Sequence, residues 1–166
     1  LKVERIISEP TAAAIAYGLY EKTRNTRFLV FDLGGGTFDV SILELFQNIL
    51  EVRAVAGDNY LGGEDFTGVL EKLFLQKKGI DPDRLDAKTR GLVHKAAESC
   101  KLGFTENTRS EFSCLIDGKE EKLEITLKEY EEQCEPLLEK IRKPVQRSLS
   151  DAHIKLSDID VVVLVG

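Results

Sequence analysis

The run Phe28-Leu29-Val30-Phe31 is apolar at four consecutive positions and ends in Asp32. A short stretch apolar on both sides reads as a central strand covered on both faces. Gly34-Gly35-Gly36-Thr37 follows, and from Thr37 to Leu45 the chain alternates, with Phe38, Val40 and Ile42 on one face and Asp39 and Ser41 on the other. Two strands are thus joined by a glycine loop with a carboxylate on either side. A buried, unpaired carboxylate is expensive, so Asp32 calls for a partner. Three glycines permit φ > 0 and leave backbone N–H groups uncovered, and successive bare N–H groups make an anion-binding nest. Polyphosphate beside carboxylates is repulsive, by about 4 kcal/mol for unit charges ~4 Å apart at an effective dielectric of ~20. A divalent cation removes that conflict, and Mg²⁺ bridges carboxylates, waters and phosphate oxygens. The pattern therefore leads us to expect a Mg–phosphate site. A plain glycine-rich hairpin is the alternative, and the polar residues on both flanking strands weigh against it. No GxxxxGK[ST] occurs, and GGGTF leads into a strand rather than a helix, which excludes a P-loop and a Rossmann fingerprint.

Around this hairpin, strand and helix patterns alternate. Lys2 to Ile7 reads as a strand, and Ser8-Glu9-Pro10 opens a helix that Gly18 can end. Ile49 to Ala56 pairs with the preceding strand across a turn near Gln47-Asn48. Phe66, Val69, Leu70, Leu73 and Phe74 keep a helical period up to Gly79. Asp81-Pro82-Asp83 reads as a linker, and Leu92, Val93, Ala96, Ala97 and Cys100 define a second apolar helix face. Arg109 to Asp117 and Glu120 to Glu124 form a hairpin turning at Asp117-Gly118. Thr126-Leu127-Lys128-Glu129 is a capping box that opens a long helix, which Pro136 and Pro144 must kink or divide. Its apolar positions are Tyr130, Cys134, Leu137, Leu138, Ile141, Val145, Leu149 and Ala152. Asp160 to Val165 returns as a buried strand to the first sheet. We expect an α/β chain in which residues 1–64 and 127–166 form a larger sheet subdomain and 65–126 an inserted, smaller α+β subdomain.

Composition narrows the class. The net charge of −6, with 42% hydrophobic and 31% charged residues, describes an ordinary globular chain without a basic face for nucleic acid. The run Val161 to Val165 is too short to span a membrane. Cys100, Cys114 and Cys134 are odd in number and form no CxxC pair, so they read as buried thiols in a reducing compartment. His94 and His153 read as surface or core-edge residues rather than ligands. The absence of methionine and the stop at Gly166, directly after a strand-like run, lead us to expect a piece of a longer protein.

Four segments together carry a resemblance. Glu9-Pro10-Thr11-Ala12-Ala13-Ala14, Phe31-Asp32-Leu33-Gly34-Gly35-Gly36-Thr37-Phe38-Asp39-Val40, Ala56-Gly57-Asp58 and Leu61-Gly62-Gly63-Glu64-Asp65-Phe66 resemble the DnaK-type heat-shock chaperones, the heat-shock protein 70 class. Val162-Val163-Leu164-Val165-Gly166 matches the run before that family's second adenosine loop. Within the family, the stretch Ala56 to Thr67 and the compact middle segment look most like the HscC branch.

The resemblance implies an actin-like ATPase fold (ribonuclease H-like) and lobe II of its nucleotide-binding domain: a mixed sheet with flanking helices plus the inserted subdomain. It implies ATP or ADP and Mg²⁺ as cofactors. Gly34, Gly35, Gly36 and Thr37 would hold the phosphates, with Thr37 near the attacking water. Asp32 and Glu9 would act on Mg²⁺ largely through water, with Asp39 binding ions or orienting water. Gly63, Glu98, Lys101, Thr105 and Gly166 would lie by the nucleotide, Glu98 and Lys101 flanking the adenosine. On helical geometry, Glu98, Lys101 and Thr105 fall opposite Leu92, Ala96 and Cys100, free to face a cleft or simply to be solvated. Leu102 and Gly103 depart from the family's polar pair, and Ser8 from its asparagine. The implied function is an ATPase coupled to peptide binding and release in a cytoplasmic, stress-responsive chaperone. Its partners would be unfolded peptide clients, a J-domain helper, and a nucleotide-exchange factor at the smaller subdomain, with neither nucleic acid nor membrane. A sugar or carboxylate kinase of the same fold shares the glycine hairpin, and an actin-like filament protein is the third reading; phosphate transfer to a small molecule or nucleotide-dependent polymerisation would mark them. One lobe without the other is expected to be inactive by itself.

Overall fold

Why the hairpin around the glycine loop holds its shape is visible in the strand order of a computed structural model, which describes residues 2–18, 25–47 and 49–166. Three long strands, β1 (Thr26–Leu33), β2 (Phe38–Phe46) and β3 (Ile49–Asp58), form an antiparallel meander. A short β6 (Val161–Val165) joins β1 in parallel, giving a mixed sheet of order β3-β2-β1-β6. β1 is interior, as its apolar run requires, and Phe28, Leu29 and Val30 are buried. A helix α1 (Glu9–Ala16) places Ala14 in a cluster with Phe28, Val30, Leu43, Leu45 and Val163 on one face of the sheet. Ser8 takes the extended N-cap conformation, but its hydroxyl bonds Thr11 Oγ1 at 2.7 Å instead of capping a backbone N–H. Gly18 ends the helix at φ +67°.

By internal packing the chain divides into two units, Leu1–Gly62 with Glu139–Gly166, and Gly63–Leu138. The second unit comprises α2 (Gly63–Lys78), α3 (Ala87–Gly103), the hairpin β4 (Arg109–Ile116) and β5 (Lys119–Thr126), and the first turns of α4 (Leu127–Asp151). Its core is built on Leu70, Phe74, Val93, Ala97, Cys100, Phe112 and Ile125. Phe74 and Phe112 stack with ring centroids 4.0 Å apart and planes 12° off parallel. The hairpin turns through Asp117 (φ +51°) and Gly118 (φ +77°), the paired left-handed residues a two-residue turn demands. Gly79 closes α2 at φ +65°. Thr126 accepts from Glu129 N at 3.2 Å, as the capping box anticipates.

Several expectations need correction. Lys2–Ile7 is not a strand: none of the described strands pairs with it, and Val3 and Ile6 are 73% and 89% exposed. A strand pattern becomes a strand only where a ladder partner exists. Pro136 and Pro144 do not divide α4, which runs as one helix of 25 residues. Pro144 is itself buried, beside Ile141 and Ser148 on the same stripe, so packing there offsets a lost N–H bond. Asp81-Pro82-Asp83 belongs to a capped turn of 3₁₀ helix, Pro82–Arg84, with Asp81 accepting from Asp83 N. Leu92 is exposed, and the buried stripe of α3 runs Val93, Ala97 and Cys100. β6 reaches the expected sheet but lies at its edge, where only Val163 is buried. In the first hairpin turn Gln47 has φ +48°, while Asn48 lies outside the described residues. His153 sits in a left-handed turn after α4 rather than on the helix. Among the described residues no helix is long and apolar enough to cross a membrane.

The three cysteines are free and buried, all in the second unit. Burial pushes each thiol above its ordinary value. A raised folded-state value favours the neutral thiol, so its contribution is complete below the ordinary thiol range and fades as pH rises through the folded value. We therefore expect unfolding free energy to fall above about pH 9, counting the unfolded thiol at about 8.5. Cys100→Ala should flatten that loss in urea titrations. Phe74→Ala should cost about 3–5 kcal/mol in the same measurement.

Candidate functional site

β1 and β2 are in register to their ends: Asp32 stands opposite Asp39, and Leu33 opposite Phe38. The hairpin therefore delivers two carboxylates side by side at the mouth of the glycine loop. Gly34 N donates to Thr37 O at 2.9 Å, closing the loop into a tight turn. Gly35, Gly36 and Thr37 are exposed. None of Gly34, Gly35 and Gly36 adopts positive φ, so left-handed backbone is not what selects glycine here. Two observations describe the loop backbone and its neighbour. A Cβ on Gly35 or Gly36 would meet nothing within 4 Å, so their backbone is bare to solvent. From the other side Gly62 comes so close that its own Cβ would collide with the Gly35 carbonyl and Gly36 Cα.

Two further glycines press on this end of the sheet. Gly57, paired with Asp39 across β2 and β3, leaves room that a Cβ would take from the Asp39 carboxylate and the Phe38 carbonyl. Gly166, at φ +125°, rides against the Leu33 backbone. Asp32, Asp39, Gly34 to Thr37, Gly57, Gly62 and Gly166 thus converge in the first unit. Sequence reading missed Gly57 and Gly62 as site residues. Their signal was a glycine inside a strand, in register with a loop carboxylate, and the first of a Gly-Gly pair. Glu9 is exposed in the first turn of α1, and among the described residues no hydrogen bond or ion pair ties it to the loop. No three His, Cys, Asp or Glu side chains among the described residues gather to cage a metal. Two neighbouring carboxylates suit a hard cation that keeps its waters and takes its remaining ligands from phosphate.

Gly63, Glu98, Lys101 and Thr105 lie in the second unit. Glu98 is exposed on α3, and Thr105 is exposed in the turn beyond it, its N–H donating to Leu102 O at 3.0 Å. Lys101 is turned inward, onto the first turn of α2. Its ammonium donates to Gly63 O at 3.0 Å and to Thr67 Oγ1 at 2.6 Å, while the Thr67 hydroxyl donates to Gly63 O at 3.1 Å. Thr67 is 1% exposed, so this cation satisfies a buried hydroxyl. Gly103 has a structural cause: a Cβ there would strike Ser110 Oγ on β4. His94 bridges two carboxylates of α2, with Nδ1 2.7 Å from Glu71 and Nε2 3.3 Å from Glu64.

Chemically, the first-unit cluster offers bare amides, a hydroxyl and two carboxylates at one sheet end, the donor set for a cation-bridged phosphate. The family model described as Hsp70 protein matches residues 1–166. The chain is 43% identical to the chaperone protein DnaK 1 of Synechococcus sp., over the whole chain and 23% of the relative. It is 43% identical to the chaperone protein DnaK of Prochlorococcus marinus, over the whole chain and 27% of that protein. It is 42% identical to the chloroplastic heat shock 70 kDa protein 7 of Arabidopsis thaliana, over the whole chain and 24% of that protein. The chain thus spans about a quarter of the length of these relatives.

Gly62→Ala should drive a methyl group into the loop backbone at a cost of about 1–3 kcal/mol. Chemical denaturation reads the stability loss, and the largest amide shifts should fall at Gly35 and Gly36.

Proposed function

The chain belongs to the Hsp70 family, and on that premise we propose that it is lobe II of the nucleotide-binding domain of an ATP-driven molecular chaperone. The observation that carries the reading is the register of Asp32 with Asp39 across a loop in which Gly35 and Gly36 stand bare. The first unit is the larger subdomain and the second the smaller one inserted in it. The run Ala56 to Thr67 supports the HscC branch.

In this reading Gly34 to Gly36 and the Thr37 hydroxyl receive the β- and γ-phosphates of ATP. Asp32, Glu9 and Asp39 would hold Mg²⁺, largely through water. Bound there, the ion would offset phosphate charge and polarise the bond to be cleaved. Thr37 positions the attacking water, and Asp39 orients it. Phosphoryl transfer of this kind depends on placement and electrostatics more than on covalent chemistry, which suits a site built from backbone and fixed carboxylates. Gly63, Glu98, Lys101, Thr105 and Gly166 line the nucleoside side. Lys101 anchors the first turn of α2 with two of its three N–H donors, which leaves one for a nucleoside oxygen.

The whole protein would couple ATP turnover to the binding and release of unfolded peptides in the cytoplasm. A J-domain helper would act on it, and an exchange factor would act at the smaller subdomain. Alone, this lobe would bind nucleotide weakly and hydrolyse none. In the full-length protein Thr37→Ala should slow single-turnover hydrolysis by about 10²-fold, the range for removing one transition-state hydrogen bond. ATP affinity should change far less. An unchanged hydrolysis rate would remove Thr37 from the mechanism.

A further inference from the structure

The second half of α4 concentrates positive charge in a chain whose net charge is −6. Lys140, Lys143 and Arg147 stand at i, i+3 and i+7, within about 60° of one another around the helix. All three are exposed. With Pro144 they form one wall of a cleft of about 320 Å³, and Ala56, Gly57 and Asp58 at the end of β3 form the other. Every lining residue belongs to the first unit. Among the described residues neither Lys140 nor Lys143 has a carboxylate at ion-pair distance, and Arg147 has Asp151 at 3.6 Å. Asp58 is the acidic residue of the cleft, and its Oδ1 is engaged by Tyr60 N at 2.9 Å.

We propose that this cleft is a binding site for a small, multiply charged phosphoryl anion, distinct from the glycine loop. Its volume lies at the lower end of the range of small-ligand sites, about 300–1,000 Å³. The cations follow the helix axis at intervals of about 4.5 and 6 Å. Lys140 and Lys143 can therefore share one anionic group while Arg147 takes the next. The planar fork of Arg147 matches two phosphoryl oxygens at once, and the lysines act as point charges beside it. An anion carrying its charges on adjacent groups meets all three cations within one cleft, which an isolated carboxylate does not.

The test is a titration of the 166-residue chain with inorganic triphosphate, without Mg²⁺ and at low salt, followed by amide chemical shifts. Shifts are expected at Ala56 to Asp58 and along Lys140 to Arg147, weakening as salt screens the charges. The Lys140→Glu, Lys143→Glu double variant, with both changes on exposed side chains, should weaken binding there by about tenfold or more, a difference of about 1.4 kcal/mol. Shifts at Gly34 to Gly36, if the loop also takes up triphosphate, should be unaffected by those changes. Arg147→Ala should weaken the cleft to a smaller degree. Shifts confined to the loop would overturn the proposal. So would a double variant that keeps its affinity within about twofold, or tighter binding of a hexa-aspartate peptide than of triphosphate at the same residues.

Discussion

The loop between Asp32 and Asp39 is held by close backbone approaches at which a side chain would collide. Gly62 lies against Gly35 and Gly36, Gly57 against Asp39 and the Phe38 carbonyl, and Gly166 against Leu33. Each contact fixes a peptide group without covering its outer side, and that combination is what a phosphate site needs. Side chains could hold the loop more tightly, but they would cover the backbone that the glycines leave open. The three glycines come from different stretches of chain, so the loop's position depends on the end of β3, the segment before α2 and the end of β6 together. A methyl group at any of the three is therefore felt at the loop, although none of the three belongs to it.

The strand that leads into the loop could be read from the sequence because its constraint is local: four apolar residues, a carboxylate, three glycines. The second hairpin was equally clear, since Asp117-Gly118 specifies its own turn. Other features depended on partners that no local pattern reveals. Lys2–Ile7 carries a strand pattern with nothing to pair to among the described strands. Pro144 breaks a helix in isolation, yet here it fills part of the buried stripe of α4. At the site, the loop glycines do not use positive φ; Gly35 and Gly36 stand in open space, and the glycine that a close approach requires is Gly62. Lys101 was placed on the correct helix, but its inward turn depends on the buried Thr67 hydroxyl four residues after Gly63, which periodicity does not show.

In the second unit, α2 and α3 are joined by polar contacts along the N-terminal half of α2 as well as by apolar packing. Lys101 fastens the first turn of α2, and His94 lies between Glu64 in that same turn and Glu71 about two turns along. Phe74 and Phe112 stack beneath them. The first turn of α2 starts at Gly63, directly after the glycine that presses on the loop.

β6 pairs in parallel with β1 across a long separation, Phe28 opposite Val161, and Arg27 N bonds Asp160 133 residues away. The second unit, by contrast, is one uninterrupted stretch whose contacts are nearer neighbours in sequence. Closing a loop that long costs entropy before its contacts repay it. On a ribosome the second unit can take its final form while β1 still waits for its last partner. The sheet that carries the loop is completed only once β6 has emerged, after the whole second unit.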